Sequence, residues 1–152
     1  VSIFNSINAS ASALTAQRLR MDVVSSNIAN AQTTRATINE NGEYEPYKRK
    51  MVTVEPNGGS FKSFLHKASG TSQNNTGNGV KVTGITEDET PFKLVYDPTH
   101  PDADDNGYVE MPNVDPLKEM VDLMSATRSY EANITSLNAS KGMLMKALEI
   151  GK

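Results

Sequence analysis

Cysteine is absent from the 152 residues, which removes thiol nucleophiles, disulfides and cysteine-ligated metals together. Tryptophan is absent as well, and five Tyr and four Phe are the only aromatic residues, so any hydrophobic core must be thin. No run is apolar over the roughly 20 residues a helix needs to cross a bilayer. Neither sign of charge dominates. Fifteen basic residues face 18 acidic ones for a net charge of -3, and the two are interspersed, which is not the footprint of a nucleic-acid or anionic-membrane binder. The only histidines are His66 and His100. There is no Gly-x-Ser-x-Gly elbow, phosphate loop or dinucleotide fingerprint. No catalytic residue, cofactor, metal or small-molecule substrate is therefore assigned. The first residues lack a basic region followed by an apolar core, so no conventional cleaved secretory signal is expected.

The chain does have apolar residues, and they are concentrated at its two ends. Ile7, Leu14, Met21 and Ile28 recur every seven residues, with Ile3 and Val24 filling in. Toward the other end Met120, Leu123, Thr127, Tyr130, Ile134, Leu137, Leu144 and Leu148 alternate by threes and fours. That period predicts helices wound against other helices. The first helix is expected from about Ser2 or Asn5 to Asn30, roughly 37 Å long, and the second from Pro116 to Ile150, roughly 50 Å. Ala9, Ala11, Ala13 and Ala16 keep neighbouring backbones close, while Ser10 and Gln17 dilute the first stripe. Asp115-Pro116 reads as an N-cap followed by a favoured first-turn proline, and Gly151 suits a C-terminal cap. Two uses of the stripes stay open. They could close on each other or on the middle domain in a monomer, or serve as assembly surfaces. The long second helix carries more apolar surface than one shorter partner covers, which favours assembly.

Between the helices the composition is polar and rich in Gly, Pro and Asn. The reading is a turn over Asn39–Pro46, a strand over Tyr47–Glu55, an apolar patch at Phe61, Phe64 and Leu65, and a mobile polar loop over 69–79. A hairpin pairs Val80–Thr86 with Phe92–Tyr96, a long turn covers Asp97–Gly107, and a short strand covers Tyr108–Met111. The expected fold class is α+β. Residues 1–34 and 114–152 form the two helices of a coiled-coil assembly domain, and 35–113 a small β-rich domain.

Asp102, Asp104, Asn106 and Gly107 match the opening of a calcium loop, which places oxygens at alternate positions before a glycine. The match stops at Asn113, where a bidentate Glu is required. The competing reading is a turn whose side chains bond their own backbone. Lys48-Arg49-Lys50 reads as a solvated strand edge. His66 reads as a partly buried polar residue, and the Asn-x-Ser/Thr sequences at Asn8, Asn74, Asn133 and Asn138 as coincidences.

Ser12-Ala13-Leu14-Thr15-Ala16-Gln17 followed by Ser25-Ser26-Asn27-Ile28-Ala29-Asn30-Ala31 resembles the N-terminal signature of the flagellar rod and hook proteins. Glu119 to Asn133, ending Tyr130-Glu131-Ala132-Asn133, resembles that family's second signature. The two stand in the right order at opposite ends of the chain. Within the family, His100-Pro101-Asp102-Ala103-Asp104, Gly107-Tyr108-Val109 and Pro112-Asn113-Val114-Asp115 resemble the short proximal-rod members of the C type. Arg35, where many relatives carry Gly, fits that type. The resemblance implies a structural subunit of the basal-body rod in the cell envelope, delivered by the flagellar export apparatus. It implies partners among other rod subunits and copies of itself. The alternatives are another rod- or hook-type subunit and, from a different class, a monomeric calcium-binding module using Asp102–Gly107.

Overall fold

A computed structural model of the chain describes residues 3–39, 42–57, 68–69 and 79–150. Helix α1 spans Ile3–Ala29 and helix α2 spans Pro116–Ile150. Among the described residues six short strands lie between them: β1 Thr37–Ile38, β2 Tyr44–Glu45, β3 Lys50–Pro56, β4 Val80–Glu87, β5 Lys93–Tyr96 and β6 Tyr108–Met111. The class is α+β, with the long helices at the ends and the strands in the middle. No helix among the described residues is long and apolar enough to cross a membrane.

The helices begin and end where local chemistry dictates. The Asp115 carboxylate accepts the Leu117 N–H at 3.0 Å, capping a donor that α2 itself cannot satisfy. At the end of α1, Asn30 donates its side-chain amide to the Ser26 carbonyl at 2.9 Å, and the β-branched pair Thr33-Thr34 follows.

The strands form three two-stranded sheets, β1 with β2, β3 with β4 and β5 with β6. This corrects two expectations. Within the expected Asn39–Pro46 turn, Tyr44–Glu45 is a strand paired antiparallel with β1, Thr37 opposite Glu45 and Ile38 opposite Tyr44. The hairpin expected between Val80–Thr86 and Phe92–Tyr96 does not form, because each strand has another partner. The Asp88 N–H reaches the Arg49 carbonyl at 2.8 Å, carrying the chain leaving β4 past the start of β3. β5 pairs antiparallel with β6, from Lys93 opposite Met111 to Tyr96 opposite Tyr108. The Asp97–Gly107 turn closes that hairpin, with the Asp97 N–H bonded to the Gly107 carbonyl at 3.0 Å. Gly107 has a φ of +80° and a Cβ there would lie 3.1 Å from the Tyr96 ring, so this corner requires glycine twice over.

The chain folds as two compact units. One comprises residues 20–52 and 85–125, the other 1–19, 53–84 and 126–152. In the first, Val23, Val24, Tyr47, Val109, Pro112 and Val114 are buried. In the second, the buried helix positions are small: Ser10, Ala16, Ala126 and Ser140. There Gly79 sits against Ser12 and the α1 backbone at Ala9, and Ser12 Oγ accepts the Val80 N–H at 3.1 Å. The apolar patch at Phe61, Phe64 and Leu65, His66, the bulk of the polar loop 69–79 and the Gly151 cap lie outside the described residues.

Candidate functional site

The largest fully buried side chain among the described residues is a carboxylate, Glu119, in the first turn of α2, and Asn27 near the end of α1 is buried with it. Burial of a carboxylate is costly unless it is paired and hydrogen-bonded, so its partners matter. Asn27 donates its amide to Glu119 Oε2 at 2.9 Å and to the Lys50 carbonyl at 2.9 Å. Its Oδ1 accepts the Lys50 N–H at 3.0 Å and the Tyr47 hydroxyl at 3.1 Å. Two donors and two acceptor positions are all an asparagine side chain has. Arg49 Nε donates to the other Glu119 oxygen at 2.7 Å.

From Arg49 the cluster spreads outward. Its guanidinium also lies 3.4 Å from Asp88 and 3.6 Å from Asp122, and Asp122 takes Arg20 of α1 at 3.2 Å. The Arg49 N–H goes to Asn113 Oδ1 at 2.8 Å, and the Asn113 amide returns to the carbonyls of Asp88 and Thr90 at 3.1 and 3.0 Å. Burial alone would lower the Arg49 pKa and is the strongest single influence on it. The hydrogen bonds and charges of Glu119 and Asp88 together outweigh burial, and the pKa is raised. The Asp88 carboxyl is held below the usual range by the Thr90 hydroxyl and N–H and then by Arg49. α1, the start of β3 and the start of α2 thus meet in one polar anchor. The pairs Asn27–Glu119 and Arg20–Asp122 run in opposite directions along the two helices, which fixes them as antiparallel in this unit.

The solvated strand edge expected for Lys48-Arg49-Lys50 does not hold for Arg49. Its guanidinium is largely covered, because Glu119 and Asp88 draw it inward, while the Lys48 ammonium holds Glu45 at 3.0 Å. A run of three basic residues does not reveal which one turns inward. One signal was available in α2: Glu119 stands seven residues before Ala126 and fourteen before Asn133, the line that faces inward.

The stripe residues distribute as follows. Ile7, Leu14, Met21 and Ile28 on α1 are half-buried, as are Leu123, Tyr130, Leu137 and Leu144 on α2. Met120, Ile134 and Leu148 are exposed, at 47%, 38% and 75%. Of the signature residues, Asn27 is buried, Asn30 and Asn133 are half-buried, and Ser26, Ala29, Glu131 and Ala132 are exposed. The Asn133 amide bonds the Ser129 carbonyl within its own helix at 2.8 Å.

The acidic loop spends its oxygens on groups within the chain. Asp104 Oδ1 accepts the N–H groups of Asn106 and Tyr108 at 3.0 and 2.7 Å. Asp102 is bound by the Arg35 guanidinium and by the Thr34 hydroxyl, the latter at 2.8 Å, and these bonds hold its carboxyl below the usual range. Asp97 is lowered in the same way by Thr99. Among the described residues no group of three or more acidic or histidine side chains is arranged to hold a metal.

Comparison with known proteins bears on both ends of the chain. Residues 7–37 match the family model for flagella basal body rod protein, and residues 105–150 match that for the flagellar basal body rod FlgEFG protein C-terminal region. The flagellar basal-body rod protein FlgC of Bacillus subtilis is 67% identical over 149 residues, covering 98% of each chain. The FlgC of Borreliella burgdorferi is 44% identical over 159 residues, covering 97% of each, and that of Salmonella typhimurium is 41% identical over 152 residues, covering all of both.

Proposed function

The chain belongs to the FlgC family of flagellar basal-body rod proteins, and from that premise we propose that it works by assembly through its terminal helices and carries out no catalytic chemistry. It is a structural subunit of the basal-body rod. In the finer reading it joins the proximal rod, packs against other rod subunits and copies of itself, and transmits motor torque. Delivery is by the flagellar export apparatus without a cleaved signal. Residues 1–34 and 114–152 form the assembly part, and 35–113 the small domain carried beside it.

One observation supports this most directly. α2 exposes Met120, Ile134 and Leu148 along one line, and Leu117, Val121, Met124 and Met145 beside it. Large apolar side chains exposed repeatedly along one helix of a folded chain support reading that helix as an interaction face. These residues, with the half-buried Ile7, Leu14, Met21, Ile28, Leu123, Tyr130, Leu137 and Leu144, are the proposed assembly contacts. The calcium-binding alternative loses ground because Asp102 and Asp104 already have partners inside the chain. The test is to image isolated basal bodies carrying a labelled subunit, wild type and Ile134→Asp. Label in the rod for the wild type and none for the variant, with both exported, is the expected result. Normal incorporation of Ile134→Asp refutes the helix-face assignment.

A further inference from the structure

The apolar pattern of α2 and its observed orientation disagree. By pattern, the inward face should combine the line Leu123, Tyr130, Leu137 and Leu144 with the line Met120, Thr127, Ile134 and Leu148. The structure keeps the first line half-buried but joins it to a different one. Glu119 is 0% exposed, Ala126 1% and Ser140 6%, with Asn133 half-buried, while Met120, Ile134 and Leu148 face out. In a seven-residue repeat these choices differ by about 50° of rotation about the helix axis, half of the roughly 100° between consecutive residues. The orientation adopted buries a charge, a hydroxyl and a methyl, and half-buries an amide, in place of three large apolar side chains. Apolar burial alone drives the other way.

We infer that Glu119, clamped between Arg49 and Asn27, is a positioning residue that sets the rotation of α2 and holds the Met120–Ile134–Leu148 line outward. Three features support this. Both Glu119 oxygens are engaged, at 2.7 and 2.9 Å, by groups from different elements. Asn27 cannot follow the carboxylate around the helix, since it is itself held to the β3 backbone by two bonds and to Tyr47 by a third. Asp122, one turn along, is tied to Arg20 and Arg49 on the same side. A single buried polar residue that fixes helix register and orientation at some cost in stability is a known device in wound helices. Its value here rests on the assembly reading: the rotation leaves Met120, Ile134 and Leu148 exposed for another subunit to cover, where the pattern by itself would turn them inward.

The absence of cysteine makes the test direct. Two single-cysteine chains, Ala126→Cys and Ile134→Cys, carry the probe at positions remote from the clamp, and thiol-labelling rates are compared in the purified full-length protein. With the clamp intact, the thiol of Ile134→Cys labels fast and that of Ala126→Cys slowly. In the double variant Arg49→Met/Glu119→Leu, which leaves no lone buried charge, the ratio of the position-134 rate to the position-126 rate should fall by about ten-fold or more, as one position becomes protected and the other opens. Glu119→Gln, which keeps acceptor and shape, should retain most of the wild-type ratio. An unchanged ratio in a double variant of wild-type helicity overturns the inference, because the small line Ala126–Ser140 would then set the rotation. Loss of helicity in the double variant also overturns it, because the cluster would be supplying stability and not orientation. The labelling result does not depend on the rod, so a failure here is separable from a failure of the basal-body imaging.

Discussion

Asn27 illustrates how much one side chain can be asked to do. Its four hydrogen-bonding positions serve a carboxylate on α2, both backbone groups of Lys50 and a tyrosine hydroxyl. No other side chain of this size offers two donors and two acceptor sites. Asn27→Ala strands several buried groups at once and should destabilise the folded chain by about 3–5 kcal/mol, measured by urea unfolding. Asn27→Asp should be at least as damaging, since it places a second carboxylate beside Glu119. Gly107→Ala, at φ +80° and tight against Tyr96, should cost about 1–2 kcal/mol through backbone strain. Titration adds a third expectation at this scale. Asp88, Asp97 and Asp102 all have pKa values below the ordinary range in the folded chain. Their contribution is therefore complete above the unfolded value of about 3.9 and is lost as pH falls through the lower folded values. Melting temperature should be flat from neutral pH to about 5 and decline below about 4. Asp102→Asn should flatten part of that decline, and an identical acid limb in the variant would deny Asp102 a share in it.

At the scale of elements, the helices are organised by different means along their length. Where α2 begins, a capped first turn leads into a charged clamp. Further along, small residues lie inward, Leu123, Tyr130, Leu137 and Leu144 are half-buried, and Ile134 and Leu148 are exposed. Asp115→Ala removes the cap and should lower stability by about 1 kcal/mol. Leu137→Asp places a charge on the half-buried line and should abolish rod incorporation while export continues, with motility as the readout. Normal swimming would remove Leu137 from the contacts. The acidic turn closes the β5–β6 hairpin and is tied through Asp102 to Thr34 and Arg35. With Asp102 and Asp104 engaged inside the chain, calcium should leave the melting temperature unchanged, since a ligand stabilises only by binding the folded state. A rise of several degrees that Asp104→Ala abolishes would restore the metal reading.

For the whole molecule, the clamp and the exposed lines predict an uneven distribution of order. In the free subunit, hydrogen exchange should be slowest around Asn27, Lys50, Glu119 and Val109, where burial and side-chain bonding coincide, and fastest toward both helix ends. Uniform protection along Ile7–Ile28 in a verified monomer would contradict this. Folding of the ends is then expected to be completed on assembly, when a neighbour covers the apolar lines.

Much of this could be read from the residues alone. A seven-residue repeat at each end, Asp-Pro before one of them and Gly/Asn turns between short β-branched runs determine two long helices around a small β region, because backbone preference and apolar periodicity are local properties. The two signatures, in order, determine the family. The strand partners were not legible. Val80–Glu87 and Lys93–Tyr96 are close in sequence and look like a hairpin, yet each pairs elsewhere, because pairing depends on where distant segments such as Lys50–Pro56 come to lie. Nor was the rotation of α2 legible. Periodicity counts apolar side chains, and it favoured Met120 and Ile134 over Glu119 and Ala126. Only the tertiary structure brings Arg49 and Asn27 to the same carboxylate, and a buried charge with two fixed partners can outweigh a stripe of methionine and isoleucine.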